Sequence, residues 1–306
     1  MSDMPMIEPS EHPMVVSAMA RLATHGGWAR LLAGKPLEDI LDINDAELLV
    51  AAHVLRRNSD DSLEPIESHP WYFDPSSLSG GMMSYLKRAV RHAEGAEAGW
   101  TADDLEIVVA QGRGSVAAAN ALGEGLLPQM AAAHEVFLCG EATFLDVGVG
   151  IGAVARRICE MYPGVRAVGL DVLEPVLDLA RGELAEAGLT ERVELRLQSV
   201  ADLCDVQRFD LAWVPQAFIP RAALRPGLTA VFASLRPDRW LVLPVMAAPG
   251  EADPFQRAVF AHDAHLTGGG PITVDEARDL LHEAGFDQVT DLTYGDQVVM
   301  LARRPD

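Results

Sequence analysis

The chain has 306 residues, 49% of them apolar, and carries 24 basic against 45 acidic side chains for a formal net charge of −21. So acidic a surface repels phosphate backbones and anionic lipid, and the densest basic runs, Arg56-Arg57 and Arg303-Arg304, are too short to offset it. Nucleic acid and membranes are therefore not the expected partners; a small molecule is. Three cysteines without a CxxC pair and the lack of a basic-then-apolar leader or a bilayer-length apolar run point to free thiols and a cytoplasmic location.

Residues 1–14 are polar and proline-containing and are expected to be disordered. From Val15 to Leu32 apolar residues recur at helical spacing, broken at Gly26-Gly27 into two helices, and Asp45 to Arg57 reads as a third. A turn-rich stretch holding Trp71-Tyr72-Phe73 separates it from a helix around Met82 to His92. Thr101, with Asp104 three residues on, opens another helix by a variant of the capping box, and alanine-rich helix continues to about Glu135. Residues 15–135 are thus expected to form an all-α domain, and 136–306 a second domain.

From Ala142 the pattern changes. TFLDVG, VRAVGLD, VELRLQ, FDLAWV and WLVLPV read as short buried strands, with helical segments IGAVARRICEMY, PVLDLARGELAEAGL, AALRPGLTAVFASL and TVDEARDLLHEAGF between or beside them. QVTDLTYGDQVVMLARR reads as a closing hairpin. Alternation of this kind predicts a parallel α/β sheet covered on both faces, and the hairpin makes one terminal strand antiparallel.

The strongest local signal is Asp146-Val147-Gly148-Val149-Gly150-Ile151-Gly152. Alternate glycines after a strand let the backbone turn tightly and approach a ligand, and the following helix presents free N–H groups there. Asp171, at the end of the second strand, is placed to accept hydrogen bonds from both hydroxyls of a ribose. Gly148-x-Gly150-x-x-Ala153 also satisfies the dinucleotide fingerprint, so an NAD(P)-dependent oxidoreductase is a competing reading. Against it, Asp146 would attract the ammonium of an amino-acid cofactor and repel a pyrophosphate. The residues after the loop are also used up in completing one sheet.

With these residues in view, the segment from about Phe137 to Arg304 resembles the class I S-adenosylmethionine (SAM)-dependent methyltransferase domain. DVGVGIG looks like its first motif, VGLDVLEP its second, ERVELRLQSVADL its third and FDLAWVPQAFIP its fourth. The resemblance implies a Rossmann-like seven-stranded sheet and SAM as cofactor. It puts Gly148, Gly150 and Gly152 against the methionine part, Asp146 near the amino group, Asp171 on the ribose, and Leu170 and Val172 beside the adenine. Ser199, Asp202 or backbone at Val200 would stand in for the third-motif Asp that is absent here, and Val149 and Pro215 complete the expected cofactor set.

The fourth motif reads Val214-Pro215-Gln216-Ala217-Phe218, not the Asn-Pro-Pro-Tyr of base and glutamine-amide methyltransferases. It lacks both a His base and a metal-binding Asp, so no metal is expected. Gln216, Phe218 and Tyr72 are the candidate acceptor-binding residues. His262 and His265 in FAHDAHLTGGGP are the candidate bases or, with Asp263, candidate metal ligands, and the Gly268-Gly269-Gly270 run suggests a mobile lid. The expected function is methylation of a small molecule, with oxygen favoured over nitrogen or carbon, in specialised metabolism. A homodimer through the first helices is compatible with their apolar faces. A SAM-binding regulator without transfer chemistry is the other alternative.

Overall fold

A computed structural model of the chain describes residues 13–24, 27–35, 37, 40–68, 74–248, 250, 252–294 and 297–306. They form helices α1 (Pro13–Thr24), α2 (Gly27–Leu32), α3 (Ile43–Ala51), α4 (Pro75–Ala93), α5 (Leu105–Asn120) and α6 (Ala131–Leu138) before the main sheet. Strand β3 (Thr143–Val147), helix α7 (Ala153–Met161), β4 (Arg166–Asp171), α8 (Glu174–Glu186), β5 (Val193–Leu197), β6 (Phe209–Trp213), α9 (Arg221–Ser234) and β7 (Leu235–Val245) then alternate. Helices α10 (Pro254–Leu266) and α11 (Val274–Ala284) precede the closing hairpin β8 (Asp287–Tyr294) and β9 (Gln297–Arg303).

The main sheet has seven strands in the order β5-β4-β3-β6-β7-β9-β8, parallel except for β9, which runs against both its neighbours. Its central strands β3, β4 and β6 are buried on both faces, which is why they read as nearly unbroken apolar runs, whereas the edge strands β5 and β8 are more exposed. Adjacent residues of β3 serve opposite cores: Phe144 packs with Phe137, Ile158 and Leu177, whereas Leu145 packs with Leu228, Val231 and Leu281. The order reverses between β3 and β6, leaving a crevice at the carboxyl ends of these two strands.

Contacts divide the chain into two compact units. One holds the described residues up to Lys87 together with Val109–Ala117; the other holds Arg88–Val108 and Ala118–Asp306. Helices α4 and α5 each contribute residues to both units. The N-terminal stretch is not wholly helical. Leu55–Arg57 (β1) and Leu63–Pro65 (β2) pair antiparallel, with Asn58 and Ser62 closing the turn and Arg56 ion-paired to Glu64 across it. Strands of three residues are too short to show alternation in the sequence. Helix α1 already begins at Pro13, and α5 begins at Leu105: Thr101 and Asp104 bond to each other in a turn ahead of it.

Candidate active site

The loop after β3 is built from glycines because its backbone requires them. Gly148, Gly150 and Gly152 sit at φ of +68°, +57° and +83°, a region costly for other residues. Between them the Val149 N–H donates to Leu170 O at 2.9 Å, fastening the loop to β4. The Val149 side chain is buried over Gly169, where an added Cβ would come within 2.6 Å of its Cγ2. On the other side a Cβ at Gly148 would meet nothing within 4 Å, so the loop presents bare backbone to open space.

Two carboxylates flank this loop. Asp146 is 2% exposed and accepts from Ala155 N–H, at the start of α7, at 2.9 Å. Burial pushes its carboxyl up to about 7, opposed by that hydrogen bond and reinforced by nearby Asp171. Asp171, at the end of β4, accepts from Gly150 N–H at 3.1 Å through Oδ2 and from Leu173 N–H at 3.0 Å through Oδ1. Burial also raises the Asp171 carboxyl, and the backbone N–H groups it accepts from counter this. Each oxygen keeps acceptor capacity after one backbone bond.

The other expected cofactor residues are placed unevenly. Val172 is 61% exposed beside Asp171. Val200, by contrast, packs into the core over Gly227, and Val149 is likewise buried, so only their backbones can face a ligand. The Ser199 hydroxyl accepts from Ala201 N–H and caps a short 3-10 turn (Val200–Asp202). Pro215 is buried directly after β6.

Both His262 and His265 lie exposed on α10, and His262 stands edge-on to His92 with ring centroids 5.2 Å apart. Ala264 and Leu266 are the buried residues of FAHDAHL, and its half-buried carboxylate, Asp263, pairs with Arg88 at 3.0 Å, the two side chains 16% and 8% exposed. Burial raises the Asp263 carboxyl despite Arg88 beside it. Among the described residues no group of three His, Cys, Asp or Glu side chains could hold a metal ion.

The glycine run after α10 is a packed wedge, not a free lid. Gly269 N–H donates to Ala217 O at 2.8 Å, and a Cβ there would meet the Gln216 and Ala217 carbonyls at 2.5 Å. Tyr72, with Trp71 and Phe73, lies outside the described residues.

One feature of this region is silent in the sequence. The Gln216–Phe218 turn, the Gly268–Gly270 turn and the Gly99-Trp100 segment converge. Gly99 N–H donates to Leu266 O, Gln216 Nε2 donates to Gly270 O at 3.2 Å, and the Trp100 and Phe218 rings stand edge-to-face at 5.4 Å. The Arg88 guanidinium lies 5.8 Å from the Trp100 ring centre. A lone Trp before a helix gives no signal of such company, since every partner is remote in the chain.

The strand order, the left-handed glycine loop and the acidic end of β4 define the class I SAM-dependent methyltransferase fold. Residues 144–238 match the family described as a methyltransferase domain. Over 140 residues it is 29% identical to a release factor glutamine methyltransferase of Gloeobacter violaceus, a match spanning 45% of this chain and 46% of that protein. The shared segment is thus less than half of either protein.

Among solved structures, human N-acetylserotonin methyltransferase in complex with SAM aligns over 96% of this chain and 94% of its own at 16% identity and TM-score 0.66. An O-methyltransferase family protein from Burkholderia thailandensis aligns over 97% and 94% at 15% identity and TM-score 0.61. The pyocyanin biosynthetic protein PhzM aligns over 96% and 95% at 19% identity and TM-score 0.62.

Proposed function

We propose that this chain is a SAM-dependent methyltransferase acting on a small molecule. The observation that carries the reading is the tie between Gly150 and Asp171, which sets a carboxylate beside an open, side-chain-free loop at the crevice between β3 and β6. These residues fit the cofactor. The bare backbone of Gly148 and Gly150 admits the methionine part, Asp171 has lone pairs left for two ribose hydroxyls, and exposed Val172 offers an apolar surface to the adenine. Asp146 supplies a negative charge toward the amino group once it ionises. SAM bound there would supply a methyl group already activated on a sulfonium. The protein's part is then to position the acceptor and exclude water.

The dinucleotide alternative is disfavoured by the buried Asp146 beneath the loop, which once ionised would repel a pyrophosphate. The acceptor is taken to be a neutral small molecule: the net charge of −21 opposes polyanions. The structural relatives quoted above include methyltransferases of small molecules and a biosynthetic protein, which supports a role in specialised metabolism with oxygen the favoured atom. The release factor likeness supports the cofactor domain only, since Val214-Pro215-Gln216-Ala217 stands where an Asn-Pro-Pro-Tyr would hold a glutamine amide.

A cytoplasmic location is supported by three free cysteines, and among the described residues no helix is long and apolar enough to cross a membrane. Exposed Met14, Leu32 and Ile43 on the first helices give a homodimer an apolar surface to use. Incubation with methyl-labelled SAM and a panel of hydroxylated and aminated aromatics tests the reading. Label moving into one of them supports it; SAM binding with no transfer to any acceptor tried favours a regulator.

A further inference from the structure

Gln216 is wholly buried at the end of β6, with its amide orientation fixed. Its NH2 faces the Gly270 carbonyl, and flipping it would set two carbonyl oxygens against each other. That leaves Oε1 buried and, among the described residues, without a hydrogen-bond partner. The indole N–H of Trp100 is the matching case: buried, a donor only, and unpartnered among the described residues. A buried polar atom left unmatched costs stability. Here two of opposite kind lie in one neighbourhood, because Phe218, two residues after Gln216, packs edge-on against Trp100 and the Gly268–Gly270 turn bonds to Gln216 while packing on Gly99.

We infer that Gln216 and Trp100 form the polar anchor of the acceptor site and select a neutral, planar ring bearing a lactam edge, an N–H beside a C=O. The ligand N–H donates to Gln216 Oε1 and its carbonyl accepts from Trp100 Nε1–H, so one edge satisfies both atoms. The Trp100 and Phe218 rings supply aromatic walls for a flat ligand. Neutrality follows from Arg88, 5.8 Å from the Trp100 ring centre, being paired with Asp263. Gln216 has no titratable group and so holds the acceptor without taking its proton. This inference rests on the methyltransferase reading.

The test uses the full chain with S-adenosylhomocysteine added and 2-quinolinone as probe, against 1-methyl-2-quinolinone, which lacks the N–H, and quinoline, which lacks both groups. Ligand-observed NMR titration of the wild type should show 2-quinolinone binding at least ~10-fold tighter than either control. Gln216→Leu should bring the ratio to the methylated control near one, and Trp100→Phe should weaken 2-quinolinone while leaving quinoline unchanged. Without any probe, both variants should remain folded at the titration temperature, the lost Gln216 Nε2–Gly270 O bond and the smaller ring at position 100 being offset in part by removal of an unmatched buried polar atom.

Equal binding of all three probes, absence of binding by any, or a discrimination unaffected by both substitutions would overturn the inference. S-adenosylhomocysteine binding is titrated separately. Its failure counts against the methyltransferase reading, whereas its success with no lactam preference counts against this inference alone.

Discussion

The Gly150 N–H lies 3.1 Å from the Asp171 carboxylate, so the middle glycine of the loop after β3 is held by the last residue of β4. One side chain thereby does two jobs. It fixes the loop in a shape only glycine adopts readily, and it keeps a partly buried acceptor at the mouth of the crevice. Replacing Asp171 separates them. Asp171→Ala should weaken binding of SAM and S-adenosylhomocysteine by about 1–3 kcal/mol, read by calorimetry. Asp171→Asn, which can still accept from Gly150, should retain more of the protein's thermal stability than Ala. Unchanged cofactor affinity in Asp171→Ala would misplace the ribose site.

Gly148→Ala tests the loop backbone. No neighbour obstructs the added methyl, so its cost is the positive φ, about 1–2 kcal/mol of stability. Thermal melts should show that loss together with weaker cofactor binding, since the same methyl would stand in the space assigned to the methionine part.

Asp146 gives the protein a pH dependence of definite sign. Its carboxyl is held at about 7 in the folded state against 3.8 as its ordinary value. Between these limits the folded chain holds a proton that the unfolded chain has lost, so this group's contribution to stability falls as pH rises from ~4 through ~7. Asp146→Asn removes the cost of burying the charge. It should therefore gain on the wild type with rising pH, by up to ~4 kcal/mol at pH 8. Cofactor binding should go the other way: an ammonium favours the ionised form, so wild-type affinity rises with pH up to ~7 and the Asn variant binds more weakly without that rise. Parallel melting and titration series from pH 5 to 8 read both.

The Arg88–Asp263 pair is buried enough that breaking it should be costly. Asp263→Ala or Arg88→Ala alone should destabilise by ~3–5 kcal/mol, because the surviving charge stays buried, whereas Arg88→Met with Asp263→Leu together should cost far less. A double-mutant cycle by denaturant unfolding measures the difference.

The loop and Asp171 were legible in the sequence because strand, turn and helix follow one another within a few residues, and the glycine spacing reports the backbone directly. The reversed strand β9 was legible from the hairpin before it. Val149 and Val200 were not readable as core residues: both belonged to the expected cofactor set, and only the packing over Gly169 and Gly227 shows which way each side chain turns. His262 and His265 stand out by their chemistry, but helical geometry turns Ala264 and Leu266 inward, leaves both histidines exposed, and makes Asp263 the titratable group of that turn that finds an ion-pair partner. The convergence of Trp100, Gln216 and the Gly268–Gly270 turn depends wholly on tertiary folding, so no local pattern announces it.

The central claim is that the crevice between β3 and β6 takes SAM. A thermal-shift and calorimetric comparison of SAM, S-adenosylhomocysteine, NAD and NADP tests it most directly. Stabilisation by the two SAM-type ligands alone, abolished or much reduced in Asp171→Ala, is the predicted result. Stabilisation by a nicotinamide cofactor and not by either SAM-type ligand would contradict the account.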